Sequence, residues 1–390
     1  PLSDAAGRVS AAAVASRLDV PDFDNAAMDG FALRAVDCAG ASESDPKSLA
    51  RIATVAAGDA PGISADTGEA VEIMTGAPLP AGCDAVVPVE QADVSANEDL
   101  VRFARPARSG QNVRRRGEDF PAGTLLLEPG KTIGAAQLMA LAAGGLDQVP
   151  VRGPVRVAIV ATGAELAEQG APSGSGEIRD ANGPYLRSAL PDFGAQLAGF
   201  TLTGDQPADV SQAISAATAG ADLVITTGGV SAGRYDAVPA AVNELGGEIL
   251  FHKVSIRPGK PILFARLNDG RYLLGLPGNP VAVAAGLRFF GAPLLRRLTG
   301  QREERWPSAI TLGTVRKRPG PRFFAKARAS LGDRGQLQVE ILPGQESFRI
   351  LPLTHANCWA IVEEGREQLP AGETVRIAPL VPGHWPGVES

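Results

Sequence analysis

From Val155 to Leu245 the chain alternates strand-like and helix-like segments, and this alternation restricts the possible folds more than any other feature of the sequence. Residues 155–160 form a continuous apolar run, as expected of a strand covered by helices on both faces. A helix is predicted over residues 183–190, followed by an apolar run at 196–202. Pro207 marks a further helix start, where its missing N–H costs nothing, and leads an apolar-periodic stretch to Ala217. Residues 222–226 again read as a strand and 238–245 as a helix. Three strand–helix repeats in about 95 residues indicate a doubly wound parallel sheet. Apolar runs at 249–256, 262–267 and 272–276 extend this unit, and a helix over 281–298 closes it.

A chain of 390 residues is too long for one ordinary domain, and two to four are expected. Its hydrophobic fraction of 44% is enough for real cores, yet no uninterrupted apolar stretch is long enough to predict a membrane span. Cys38, Cys83 and Cys358 are odd in number and far apart, and His252, His355 and His384 are equally scattered. No soft-metal centre is expected, and a reducing, cytoplasmic compartment fits. The formal charge of −6 argues against nucleic acid as a partner. It leaves small anions open, because screening acts over about 8 Å and local sign outweighs the total. Two local basic clusters stand out: Arg114, Arg115 and Arg116, and the segment carrying Lys253, Arg257 and Lys260.

Outside the α/β unit, 46 glycines and 31 prolines punctuate many short elements. Apolar runs at 52–57, 70–74, 85–89 and 100–103 predict a small β domain. Its flanks carry one helix, residues 132–143, with Thr132 as the candidate N-cap. Residues 309–380, with β runs at 336–341, 360–362 and 374–377, read as a small β barrel or sandwich. The boundaries that follow are a split domain from residues 1–25 and 107–152, an inserted β domain at 26–106, the α/β domain at 153–300 and a C-terminal β domain at 305–382.

In open α/β sheets, ligands bind beyond the carboxyl ends of the strands, where loops and helix N-termini converge. Here those ends repeat a theme: Thr162-Gly163, then Thr203-Gly204-Asp205, then Thr226-Thr227-Gly228-Gly229. Glycine lets backbone N–H groups approach a phosphate closely, so three such ends side by side imply one anion site. Glu165, Asp205 and Asp236 stand among these glycines. Acids beside a phosphate repel it unless a hard cation such as magnesium joins them, although helix capping is the simpler role for Asp205 and Asp236. Ser231 adds a hydroxyl, and Pro258 and Pro261 stiffen the turn that carries Arg257 and Lys260. Leu276-Pro277-Gly278-Asn279-Pro280 forms a rigid loop ahead of a helix.

These segments match a known family in order along the chain. FDNAAMDGFALR (residues 23–34), IMTGAPLP (73–80), RRRGEDF (114–120), TTGGVSAGRYD (226–236), RPGKP (257–261) and LPGNPVA (276–282) resemble the MoeA family, the bacterial molybdopterin molybdenumtransferases, similar to the E domain of gephyrin. The resemblance implies insertion of molybdenum from molybdate into adenylylated molybdopterin, with release of AMP and a need for a divalent cation such as Mg2+. It implies four domains, the last a β barrel, and an elongated homodimer whose cleft is completed by the inserted β domain of the other subunit. The adenylylating enzyme of the same pathway is a further partner on this reading.

By motif match, Glu165, Asp205, Ser231 and Asp236 fall on the family's nucleotide, phosphate and cation positions, beside Thr162, Gly163, Gly228 and Gly229. Lys253, Arg257 and Lys260 fall on its basic positions near the oxyanion, with Pro277 and Pro280 in the adjoining loop. Asp29, Thr75 and Asp119 fall on positions that the partner subunit is expected to supply, and Arg322 and Ser347 resemble oxyanion positions in the last domain. Ala164 departs from a usual acidic or amide residue, Arg257 from a common lysine, and Ala282 from a usual serine that would offer an oxyanion hydroxyl. Family members also carry an N-terminal helix ahead of the position numbered Pro1. Two rival readings remain: an enzyme that adenylylates molybdopterin instead of metallating it, and a binding scaffold without catalysis.

Overall fold

Short β-prone segments between glycine turns pair locally, and in the N-terminal half they build one sheet. A computed structural model describes residues 1–60, 62–94, 99–167, 174, 176–231 and 237–384. Contacts divide the chain into two units, Pro1–Val151 and Arg152–Ser390. In the first, β1 (Gly30–Leu33), β2 (Lys47–Val55), β3 (Glu69–Ile73), β4 (Ala85–Pro88), β5 (Ala92–Val94) and β6 (Leu100–Phe103) form a six-stranded sheet in the order β4-β1-β3-β2-β6-β5. Only β2 and β3 run parallel. The period of two places Phe31 and Leu33 with Leu49 and Phe103 on one face, and Ala32 with Val71 and Val86 on the other. Gly30 is needed at the β1–β4 contact, since a Cβ there would sit 2.1 Å from the Val87 carbonyl oxygen.

The chain before and after this sheet pairs in two short ribbons, Val14–Ala15 with Leu125–Leu127 and Asn25–Ala26 with Val113–Arg114. Helix α1 (Ala135–Ala143) begins later than its sequence predicts: Gly134, and not Thr132, is the N-cap, and the Gly134 N–H donates to Gln137 Oε1 at 3.1 Å. Thr132 bridges Val9 in an extended pairing, and the Ile133 N–H donates to the Arg8 carbonyl, so the backbone is committed before the helix can start. Two of the three arginines in this unit's basic cluster are neutralised by acids of the same unit. Arg115 pairs with Asp24 at 2.7 Å and Arg116 with Asp19 at 2.6 Å.

In the second unit, β7 (Val155–Thr162), α2 (Asn182–Asp192), β8 (Ala195–Thr203), α3 (Pro207–Thr218), β9 (Leu223–Thr227), α4 (Ala237–Glu244), β10 (Glu248–His252), β11 (Leu263–Arg266) and β12 (Tyr272–Leu276) alternate as expected. The sheet order is β8-β7-β9-β12-β11-β10. The first four strands are mutually parallel, and β11 then runs antiparallel to both neighbours, so the sheet is mixed at one edge. Val157 and Ile159 pack with Leu186 and Leu190 of α2 on one face, while Val160 packs with Val210 and Ile214 of α3 and Val238 of α4 on the other. Each such side chain, fully buried, contributes roughly 1.5–3 kcal/mol. The predicted closing helix is interrupted: α5 (Pro280–Gly286) passes through a π-helical turn at Leu287–Gly291 into α6 (Ala292–Leu298).

Beyond it, β13 (Ser308–Thr311), β14 (Arg322–Leu331), β15 (Leu337–Ile341), β16 (Cys358–Val362) and β17 (Thr374–Pro379) close into a five-stranded barrel, β14-β15-β13-β17-β16 and back to β14. Ile256–Arg257 adds parallel to the start of β14 at Arg322–Phe323, which stitches the basic segment of the α/β part onto the barrel. Among the described residues, no helix is long and apolar enough to cross a membrane.

Candidate functional site

The parallel strands of the second unit end on one cleft of about 620 Å³. Its lining includes Thr162, Gly163 and Glu165 after β7, Asp205 after β8, Gly228, Gly229 and Ser231 after β9, and Pro277 and Pro280 after β12. Strand-end convergence therefore brings together most of the residues that the sequence singles out in this domain. Asp236 lies outside the described residues.

The turn after β9 is built for close approach. Gly228 and Gly229 have φ of 82° and 62°, in the left-handed region that favours glycine. A Cβ on Gly228 would come within 2.4 Å of the Thr162 carbonyl oxygen, so the β7 and β9 ends touch through backbone. The Gly228 N–H donates to the Leu276 carbonyl at 3.0 Å, tying in β12 as well. Among the described residues, the N–H groups of Gly229 and Val230 meet no protein acceptor, which leaves them for an anion. His252, which sequence reasoning took as one of three scattered histidines, anchors this turn through a ring nitrogen 2.7 Å from the Val230 carbonyl.

Sequence reasoning also missed Asp180 and Asn182, both buried in the wall of the cleft. Asp180 Oδ1 accepts the N–H groups of Asn182 and Gly183 at 2.9 and 3.1 Å and so satisfies the start of α2. Asn182 Nδ2 donates to the Gly278 carbonyl at 2.8 Å and clamps the Leu276 to Pro280 loop to that helix. An Asp-x-Asn-Gly run just before a helical pattern is a turn signal that could have flagged them. The capping alternative for Asp205 is not realised, since the α3 N-cap is Gln206.

The basic segment lies apart from this lining. Lys253, Arg257 and Lys260 are exposed, and only Pro261 at the segment's end borders the cleft. Arg257 instead borders a second cavity of about 500 Å³ with Lys317 and Arg318, and its guanidinium lies 5.4 Å from the Phe323 ring centroid. Arg322 is held by Glu363 at 3.0 Å and Glu364 at 3.1 Å, so its charge is already paired. Ser347 meets the α/β part through its carbonyl, which accepts the Val281 N–H at 3.1 Å. Ala282 is buried in α5 and does not line the cleft, so its departure from serine falls on packing there.

In the first unit, Asp29 Oδ1 accepts both the N–H and the hydroxyl of Thr75, each at 2.6 Å. The Thr75 hydroxyl, and then its N–H, hold the Asp29 carboxyl below the ordinary carboxylate range. A depressed carboxyl contributes stability above its unfolded value and loses it as pH falls through the folded one. Thr75→Ala should accordingly move the Asp29 titration upward, read by carboxyl carbon NMR, and an unmoved midpoint would contradict the assignment. Asp119 donates its N–H to the Val20 carbonyl at 2.9 Å.

The second unit thus joins a doubly wound α/β domain, with a glycine-lined cleft at its strand ends, to a closed five-stranded barrel. Residues 158–297 match the pattern described as "Probable molybdopterin binding domain", residues 1–145 the MoeA N-terminal region (domain I and II), and residues 308–380 the MoeA C-terminal region (domain IV). A Synechococcus elongatus protein named molybdopterin molybdenumtransferase is 38% identical over 387 residues, covering 97% of this chain and 94% of the relative. A Haemophilus influenzae protein of the same name is 35% identical, covering 97% and 93%. The crystal structure of the molybdopterin biosynthesis MoeA protein from Pyrococcus horikoshii superimposes with a TM-score of 0.83 at 30% identity, covering 97% of this chain and 93% of that one. The chain belongs to the MoeA family, enzymes of molybdenum cofactor biosynthesis.

Proposed function

We propose that the protein transfers molybdenum from molybdate to adenylylated molybdopterin and releases AMP, aided by a divalent cation. The observation that carries this reading is the convergence of the β7, β8, β9 and β12 ends on one glycine-lined cleft in a chain of this family. Gly229 and Val230 would bind phosphate oxygens through N–H groups that meet no acceptor among the described residues, and Ser231 would add a hydroxyl. Glu165 and Asp205 border the same cleft and offer hard oxygen donors. Among the described residues, no group of three or more acidic, His or Cys side chains could hold a metal by itself. That donor set fits magnesium, which takes one or two carboxylates and completes its shell with water and substrate phosphate. Asp236 is the third proposed ligand. When bound, the cation would neutralise and polarise the pyrophosphate.

Lys253, Arg257 and Lys260 would hold molybdate, a substrate, with Arg257 oriented by Phe323 and reinforced by Lys317 and Arg318. Pro277 and Pro280 keep the neighbouring loop stiff, and Ser347 lends a further polar group. A cytoplasmic homodimer, with Asp29, Thr75 and Asp119 contributed by the partner subunit and substrate delivered by an adenylylating enzyme, completes the proposal. Asp205→Asn should slow cation-dependent AMP release from adenylylated molybdopterin by about 100-fold, the scale of losing one electrostatic contact to a transition state. Unchanged release and cation dependence would sink the cation role. Formation of adenylate from ATP and molybdopterin would favour the adenylylating alternative.

A further inference from the structure

Two large apolar side chains bordering the cleft are left more than half exposed, Ile178 at 56% and Phe348 at 64%. Among the described cleft residues Phe348 is the aromatic one, and it comes from the barrel, not from the α/β strands. Its loop is held with unusual care. Lys326 on β14 is fully buried, and its ammonium donates to the carbonyls of Gly344 at 2.6 Å, Glu346 at 3.2 Å and Arg349 at 3.0 Å. Gln345 Oε1 accepts the Lys326 N–H, while its Nε2 donates to the carbonyls of Lys326 and Leu342. One residue before Phe348, the Ser347 carbonyl is bonded to the first turn of α5. Arg349, which follows, is paired with Glu346 and has its guanidinium 5.8 Å from the Phe348 ring centroid.

A buried ammonium spent on three backbone carbonyls fixes the loop's shape, while the ring it carries gains little from packing. Such an arrangement stabilises the fold less than burying Phe348 would, but it presents a flat apolar face at low entropic cost. The remainder of the lining mixes polar groups and glycine backbone with aliphatic wall from Leu166, Val230, Pro261, Pro277 and Pro280, none of which offers a flat aromatic face. A ligand suited to this cleft has a charged part for the glycine turn and a flat heteroaromatic part for Phe348.

We propose that Phe348 is the stacking platform for a fused heteroaromatic ring of the substrate, pterin or purine, and that Lys326 is the positioning residue that holds it. This rests on the proposed function, because the adenylylated substrate carries both ring systems. The full-length protein would be titrated calorimetrically and anaerobically, with magnesium, against AMP, molybdopterin and the ring-free control ribose 5-phosphate. Phe348→Ala should weaken AMP or molybdopterin by roughly 10- to 100-fold, the range for loss of one base–aromatic stack, and the ligand that suffers names the ring. Phe348→Trp should retain the affinity, and ribose 5-phosphate should respond equally to all three proteins. Wild-type affinity of Phe348→Ala for both ring-bearing ligands would overturn the inference while leaving the proposed function intact, and so would an equal loss for ribose 5-phosphate. Wild-type protein that binds neither AMP nor molybdopterin would remove the proposed function, and this inference with it.

Discussion

Gly228→Ala is expected to weaken binding of any phosphorylated ligand by about 100-fold and to destabilise the second unit by about 3 kcal/mol. Two separate costs combine. The residue sits at φ 82°, where a side chain is strained, and its Cβ would stand 2.4 Å from the Thr162 carbonyl oxygen. Backbone cannot step aside without separating β7 from β9, and the N–H groups of Gly229 and Val230 would move with it. Gly270→Ala supplies the control, since its φ is 83° but a Cβ there meets nothing within 4 Å. It should cost about 1 kcal/mol, the strain alone, with ligand affinity unchanged. Equal losses for the two variants, in urea unfolding and in AMP titration, would show that the close approach to Thr162 is unimportant.

Glu304→Ala should cost about 4 kcal/mol, the largest loss of stability expected for a single substitution away from the cleft. Arg288 is 1% exposed, and its guanidinium reaches Glu304 at 2.7 Å and the Pro379 carbonyl at 2.7 Å, while Nη1 has no hydrogen-bond partner among the described residues. Burial pushes the Arg288 pKa down, and Glu304 is the group that keeps the charge tolerable. Without it a buried cation remains, linked by one nitrogen to β17. Arg288 joins the π-helical turn after α5 to the barrel through the Pro379 carbonyl and to the linker before β13 through Glu304, so the damage should fall on that junction. Trp306, 5.7 Å from the Arg288 guanidinium, provides a fluorescence report of unfolding there. The double variant Arg288→Met with Glu304→Gln should recover most of the loss, because it removes the charge as well as its partner. A double variant no more stable than Glu304→Ala would refute the buried-charge account.

Much of the fold was legible because local pattern and tertiary role coincide. The β7 run, Pro207 at the start of α3 and the repeated Thr-Gly ends mark structure that neighbours confirm and do not override. The less legible parts depend on distant partners. β1 and β14 carry glycine, arginine and lysine, which hide their strand character until Val87 and the barrel close on them. Thr132 had the right side chain for a cap, but pairing with Val9 had already claimed its backbone. The cluster Arg114 to Arg116 suggested an anion site from charge alone, whereas Asp19 and Asp24, about 90 positions earlier, hold two of its three members.

The glycine-ended strands themselves were determined by sequence: periodicity and the conformational freedom of glycine are local properties, so the cleft at the strand ends could be placed before any contact was known. Only the tertiary structure decided what surrounds it. Asn182 clamps Gly278 and His252 bonds Val230 through one polar contact each, and Lys326 holds the loop of Phe348 through three, all across 18 to 96 residues. Hydrogen bonds of that kind leave no periodic trace, because their worth depends on burial, and burial exists only once the chain has closed.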